Sequence, residues 1–163
     1  MNKKEGTEYS CVEWIQVYQK ELEKIKGHSQ LLLTLGVSAG IEFLGKLLHN
    51  DDLDDGNNSS GKFEIALSSF TSLQKYSGKE LYNLVRCGLA HRVSMKEGII
   101  LSPSENTDLD NTPKVLNTNQ FFIDFAQAVK DAQKKTDWPN PNATTKYVYV
   151  SKDSNTGSTT NYN

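Results

Sequence analysis

The chain has 163 residues, which is enough for one domain with its own hydrophobic core. Its 18 Lys and Arg against 20 Asp and Glu give a net charge of −2, which excludes a generally basic surface for nucleic acid. Two cysteines, Cys11 and Cys87, are too few for a secreted disulfide scaffold and favour a cytoplasmic protein. The N-terminus has no apolar signal-peptide core, and polar residues interrupt the apolar stretch 31–48, so we expect no membrane association.

Two helices are predicted in the first third of the chain. The first runs from Cys11 to Lys26, because Ser10 and Glu13 form a capping-box pair ahead of apolar residues at helical spacing. The second runs from Gln30 to His49 and is apolar on most sides, which is typical of a central helix. Small residues in the second helix predict a close approach of its neighbours: Gly36, Ser38, Ala39, Gly40 and Gly45.

A polar stretch and two further helices follow. Residues 50–60 are acidic but lack the EF-hand spacing, so they predict a solvated loop rather than a calcium site. A third helix is predicted over Lys62–Lys75. A fourth is predicted from Gly78 to Met95, with Ser77 and Glu80 as its capping-box pair.

The last part of the chain combines short apolar runs with one long helix. Ile99–Leu101 and Lys114–Leu116 predict the two arms of an antiparallel hairpin, and Tyr147–Val150 a strand added to it. Between them, Asn117 caps a predicted fifth helix over Thr118–Lys135.

The predicted fold class is all-α. Residues 1–135 form an up-and-down bundle of four to five helices, with a small β-hairpin insertion before the last helix. Residues 136–163 are rich in Asn, Thr and Ser and predict a polar, partly disordered tail.

The candidate site lies on the predicted fourth helix. Sixteen of the 18 basic residues are Lys, and the only two Arg, Arg86 and Arg92, flank His91. Arg presents a flat, permanently charged fork that suits phosphate, and His titrates near neutral pH. The sequence contains no glycine-rich phosphate loop, no Cys or His cluster at zinc spacing and no nucleophile elbow, so no metal or cofactor is predicted.

The segment from Arg86 to His91 resembles the Arg-x4–6-His motif of HEPN domains (higher eukaryotes and prokaryotes nucleotide-binding), and residues 38–48 are similar to the second helix of those domains. The resemblance implies a helical core over about residues 10–135 and a homodimer whose motif helices face each other. The resemblance also implies binding of RNA or a nucleotide, and a metal-independent endoribonuclease activity. On this interpretation the catalytic residues are Arg86 and His91, and the supporting residues are Glu42, Cys87 and Arg92.

The implied reaction needs few parts. An RNA 2′-hydroxyl attacks the adjacent phosphate, His91 takes a proton or protonates the leaving 5′-oxygen, and Arg86 offsets the charge on the phosphate. On an ideal helix these two residues are separated by about 140°, so one arrangement takes Arg86 from one chain and His91 from its twin.

Two alternatives stay open. Cys87 stands where catalytic family members usually carry a polar residue, which favours a non-catalytic protein-interaction module of a defence or toxin–antitoxin system. Arg86 can also serve only as an ion-pair partner of Glu42 that fixes two helices together. Trp14 and Tyr18 are expected in the core rather than as base-stacking platforms.

Overall fold

A computed structural model describes residues 7–49, 57–87, 98–140, 143 and 146–149, and within them the protein is predominantly helical. The helical elements are α1 (Cys11–Ile25), α2 (Gln30–Leu47), α3 (Ser59–Ser69), a 3-10 helix (Thr71–Tyr76), a π-helical turn (Tyr82–Cys87) and α4 (Thr118–Lys134). The strands are β1 (Thr7–Ser10), β2 (Ile99–Ser102), β3 (Lys114–Asn117) and β4 (Lys146–Tyr149).

Helix α2 is the centre of the fold, because α1, α3, α4 and the π-helical turn all pack against it. A β-carbon at Gly45 would overlap the backbone carbonyl of Lys62 in α3, and one at Gly40 would overlap the ring of Phe125 in α4. The predicted close approach of neighbouring helices at the small residues of α2 is therefore confirmed. By length and composition α2 is also the one helix in the described residues that could span a membrane, but 56% of it is buried inside the protein, as is usual for a core helix.

Two predicted helix starts are confirmed atom by atom. At α1 the amide of Glu13 donates to Ser10 Oγ (3.2 Å), and the amide of Ser10 donates to Glu13 Oε2 (2.7 Å). At α4 the amide of Gln120 donates to Asn117 Oδ1 (2.8 Å). These local bonds satisfy amides that the first helical turn leaves unpaired, and so they fix the start of each helix.

The predicted third helix is divided in two. Its α-helical part ends at Ser69, and Phe70 adopts extended backbone angles before the 3-10 helix begins at Thr71. The Ser68 hydroxyl donates to the backbone carbonyls of Glu64 and Ile65, a local bond that competes with continuation of the helix.

The predicted start of the fourth helix is wrong. Ser77 does not cap it, because its hydroxyl donates to Glu64 Oε1, which also accepts from the amide of Gly78 (2.6 Å). Glu80 has a φ of +56°, which an α-helical residue cannot adopt. Helical structure therefore begins at Leu81, and residues 82–87 form a π-helical turn rather than an α-helix. The remainder of the predicted helix, residues 88–95, lies outside the described residues.

The predicted antiparallel hairpin is also wrong. Strands β2 and β3 are present where expected, but they pair in parallel, with Ile100 opposite Val115. The connecting segment 103–113 returns along the other edge of β3, where Asp108 and Val115 form an antiparallel bridge. The eleven-residue connection is long enough for this return, and apolar patterning identifies strands without fixing their direction.

The C-terminal part of the chain packs against the helical core. Strand β4 pairs antiparallel with β1 instead of joining β2 and β3. Before it, Asn140 is buried and its side-chain amide donates to the backbone carbonyl of Lys46 at the end of α2 (2.9 Å). Ala143 is buried as well, so the start of the predicted polar tail belongs to the packed structure. Residues 150–163 lie outside the described residues.

Candidate functional site

A buried carboxylate lies between two cations at the contact of α2 with the π-helical turn. Glu42 Oε2 is 3.3 Å from Arg86 Nε, and Glu42 Oε1 is 3.8 Å from Lys46 Nζ. The side chain of Glu42 is only 10% exposed, against 23% for Arg86 and 14% for Lys46. We call these three residues the Glu42 cluster. The ion pair between Arg86 and Glu42 that the sequence left as an alternative is therefore present.

Each member of the cluster is placed by its own element. Glu42 and Lys46 are four residues apart on α2, a spacing that puts two side chains on one helical face. Arg86 follows Val85, which is fully buried, and Leu81 anchors the start of the same segment in the core. The apolar residues thus fix the π-helical turn, and Arg86 extends from its edge toward α2.

The Arg86–Glu42 contact is an ion pair without an aligned hydrogen bond. Arg86 Nε and Glu42 Oε2 are both buried, and neither has a hydrogen-bond partner among the described residues. Buried polar atoms are hydrogen-bonded in the great majority of cases, so two adjacent exceptions need an explanation. π-Helical turns are rare and occur frequently at functional sites, and Arg86 lies on one.

An open pocket of about 170 Å³ lies within one helical turn of Glu42 along α2. It is lined by residues of α1 and α2: Trp14, Ile15, Tyr18, Ala39, Gly40 and Phe43. Burial raises the pKa of Tyr18 above its usual value, while the positive charge of Arg86 acts in the opposite direction. Tyr18 is therefore a residue of the pocket lining whose pKa responds to the charge of Arg86.

The other predicted site residues are His91, Arg92 and Cys87. His91 and Arg92 lie outside the described residues, and Cys87 is described only as the last backbone position of the π-helical turn. The predicted meeting of Arg86 with His91 thus stays a prediction. The predicted separation of these two residues assumed an ideal α-helix, whereas Arg86 lies on a π-helical turn.

Sequence reasoning missed the pocket. Trp14 and Tyr18 were expected in the core. Both are half-buried and line the pocket, and Tyr18 also packs against the core. The signal was present in α2, where Ala39, Phe43 and Lys46 fall on the same face as Glu42 at helical spacing. Within the described part of the chain, no group of three or more His, Cys, Asp or Glu side chains is arranged to hold a metal ion.

A second buried carboxylate, Asp124 of α4, is surrounded differently. Its Oδ2 accepts a hydrogen bond from Tyr76 Oη (2.7 Å), and its Oδ1 accepts one from Gln120 Nε2 (3.0 Å). Lys75 Nζ pairs with Oδ2 at 2.7 Å. Burial, and then the bond to Asp124, raises the pKa of Tyr76 far above its usual value, so its hydroxyl remains a donor. Both carboxylate oxygens are satisfied, and we call this group the Asp124 network.

Comparison of the chain with models of known protein families, with curated proteins and with solved structures gives no match. The resemblance to HEPN domains therefore stays a prediction that rests on the motif and on the second helix.

Proposed function

We propose that this protein binds an RNA or nucleotide phosphate at the Glu42 cluster. Arg86 supplies the main phosphate contact, Lys46 adds a second positive charge, and Glu42 positions Arg86. The observation that carries the proposal is the Arg86–Glu42 pair: a guanidinium held at 3.3 Å from a buried carboxylate without an aligned hydrogen bond, beside an open pocket.

The chemistry of the pair supports a phosphate ligand. A guanidinium makes strong, charge-assisted and often bidentate hydrogen bonds to phosphate oxygens. Because Arg86 Nε and Glu42 Oε2 share no aligned hydrogen bond, Arg86 Nε breaks no such bond with Glu42 when it turns toward a phosphate. Hydrogen bonds in ligand-free sites are often long or poorly aligned and tighten when the ligand binds.

The catalytic form of the proposal adds His91. A HEPN-like bundle would pair the motif helices of two chains, so that His91 moves a proton at the 2′-hydroxyl or the 5′-oxygen while Arg86 stabilises the phosphate charge. No metal ion takes part in that reaction.

Binding is tested by titrating a short fluorescein-labelled single-stranded RNA in EDTA at low salt and following its anisotropy. We expect Arg86→Gln to weaken binding by about tenfold or more, because one charge-assisted contact is lost. Arg86→Lys keeps a charge beside Glu42 and should recover part of the affinity. Lys24→Gln is the matched control, since Lys24 lies on α1, its side chain is 67% exposed and its partner is Glu21.

Two results would contradict binding: wild-type protein that leaves the RNA unbound, or Arg86→Gln and Lys24→Gln titrations that coincide. Cleavage is tested separately by incubating the same RNA with wild type and His91→Ala in EDTA. The catalytic form predicts products from the wild type only, and equal product from both proteins would rule out a role for His91.

A second candidate function is the non-catalytic interaction module. The observation that favours it is the same ion pair, because a guanidinium already matched by a buried carboxylate joins two elements without any ligand. This alternative predicts a homodimer by light scattering after gel filtration and no change in RNA anisotropy at any protein concentration. A monomer that binds RNA would contradict it.

A further inference from the structure

The pocket beside the Glu42 cluster has a size and a lining that suit a flat aromatic ring. Its volume is about 170 Å³ and it is open to solvent on one side. An apolar cavity of about 150 Å³ is known to take up benzene, so one aromatic ring fits this space. Trp14, Tyr18 and Phe43 contribute three aromatic side chains to the lining, and Gly40 lets the rings of Phe125 and Tyr18 pack closely against α2 there.

The pocket and the cluster are parts of one surface of α2. Ala39 and Phe43 line the pocket, while Glu42 and Lys46 belong to the cluster. Residues three and four apart on a helix are neighbours on its surface, so the apolar and charged residues alternate along a single face. Tyr18 and Trp14 of α1 form the opposite wall of the pocket.

We infer that the pocket takes the base of the nucleotide whose phosphate contacts Arg86. The inference rests on the proposed function, in which the cations bind the phosphate, and it adds a binding site for the base. A ligand with an anionic group joined to a flat ring matches a cation beside an aromatic pocket, and stacking on aromatic side chains is a principal way in which proteins hold unpaired bases.

The lining also predicts weak discrimination among bases. The hydroxyl of Tyr18 donates to the backbone carbonyl of Gly36 (2.8 Å), and most other lining residues have no polar side-chain atom. Stacking tolerates any base because each has a π face. The four nucleoside 5′-monophosphates should therefore bind within about fivefold of one another.

The test compares AMP with ribose 5-phosphate, which carries the same phosphate and sugar but no base, by isothermal titration calorimetry. Wild-type protein should bind AMP about tenfold more tightly, as expected for one stacked base. Ala39→Leu fills the pocket with a good helix former and should abolish this preference. Ala126→Leu adds the same bulk to a half-buried position of α4 away from the pocket and should keep the preference.

A fluorescence measurement covers the case in which Ala39→Leu fails to fold. The chain has two tryptophans, so Trp138→Phe leaves Trp14 as the sole reporter. AMP should quench its emission, and ribose 5-phosphate should leave it unchanged.

Equal affinity of wild type for both ligands, or no quenching by saturating AMP, would overturn the base pocket while the phosphate site stands. Loss of the AMP preference in Ala39→Leu with unchanged binding in Arg86→Gln would instead remove Arg86 from the site. If neither ligand binds the wild type, both proposals fail.

Discussion

Glu42 and Asp124 are two carboxylate residues with the same whole-residue exposure, 8%, but with different surroundings. Asp124 accepts aligned hydrogen bonds on both oxygens, from Tyr76 and Gln120, and pairs with Lys75. A fully satisfied buried network rigidifies the structure around it. Because every member has its partner within the fold, the Asp124 network has the properties of a structural element.

Glu42 is as buried as Asp124, but its carboxylate has fewer aligned hydrogen bonds. Its two ion-pair distances are 3.3 and 3.8 Å, and in the part of the chain that the structure describes Glu42 Oε2 and Arg86 Nε have no hydrogen-bond partner. Charge pairs of this kind gain little stability, because desolvation offsets the attraction. The comparison teaches that two equally buried carboxylates can differ in hydrogen-bond satisfaction, and our proposal uses this difference to assign Glu42 to a site.

The largest effect is expected at the Asp124 network. Asp124→Ala leaves the buried hydroxyl of Tyr76 and the amide of Gln120 without their acceptor, so the free energy of unfolding should fall by about 2–4 kcal/mol. Urea unfolding followed by circular dichroism measures it. Asp131→Ala on the same helix is the control and should cost less than about 1 kcal/mol, because that residue is half-exposed. Equal losses of stability in the two variants would show that the Asp124 network is not a principal structural contact.

The second effect is a pH dependence that belongs to the Asp124 network. Above about pH 10 the unfolded chain loses the Tyr76 proton, but the native protein keeps it because its pKa is raised. The native state then binds more protons, so the free energy of unfolding falls as pH rises, by up to about 1.4 kcal/mol per pH unit.

Tyr76→Phe should reduce this alkaline loss, as measured by urea unfolding at about pH 9 and about pH 11. Tyr18, whose pKa is also raised, remains in both proteins and contributes equally to each. An unchanged alkaline slope in Tyr76→Phe would show that the native protein does not retain this proton.

A smaller stability effect is expected at the Glu42 cluster. Glu42→Gln combined with Arg86→Gln removes both charges of the pair at once, so the free energy of unfolding should change by less than about 1 kcal/mol. The same urea experiment measures it. A loss as large as that of Asp124→Ala would mean that the ion pair, despite its alignment, is a principal structural contact.

The smallest effect is on the salt dependence of RNA binding. Each phosphate neutralised on a single strand contributes about −0.7 to the slope of log affinity against log salt concentration. If Lys46 adds its charge to the site, Lys46→Gln should reduce the magnitude of that slope by about 0.7 in anisotropy titrations at several salt concentrations. A slope identical to that of wild type would show that Lys46 does not contact the RNA phosphates.

The features that could be predicted from sequence are those that local chemistry decides. The helix starts at Ser10 and Asn117 depend on a residue and a partner three positions away, and both were predicted correctly. The central position of α2 followed from its apolar surface and its glycines. The motif led to Arg86, and one open alternative named its partner, Glu42.

The features that could not be predicted depend on distant partners. Ser77 stands at a position typical of a helix cap, yet its hydroxyl donates to Glu64 in α3. Neither residue spacing nor helix propensity predicts this competing hydrogen bond. The direction of β3 depends on the path of segment 103–113, and the apolar pattern is the same for either direction. The pocket requires α1 and α2 to be placed side by side, which the pattern of one helix does not specify.

The central claim is that Arg86 contacts the phosphate, and the chain allows a direct measurement because it contains only two arginines, Arg86 and Arg92. In a ¹⁵N-labelled sample the arginine Nε–H groups give two signals, and Arg86→Lys assigns them. The account predicts that the Arg86 signal shifts progressively on titration with AMP and saturates at the affinity found by calorimetry. An Arg86 signal that stays in place at saturating AMP would contradict it.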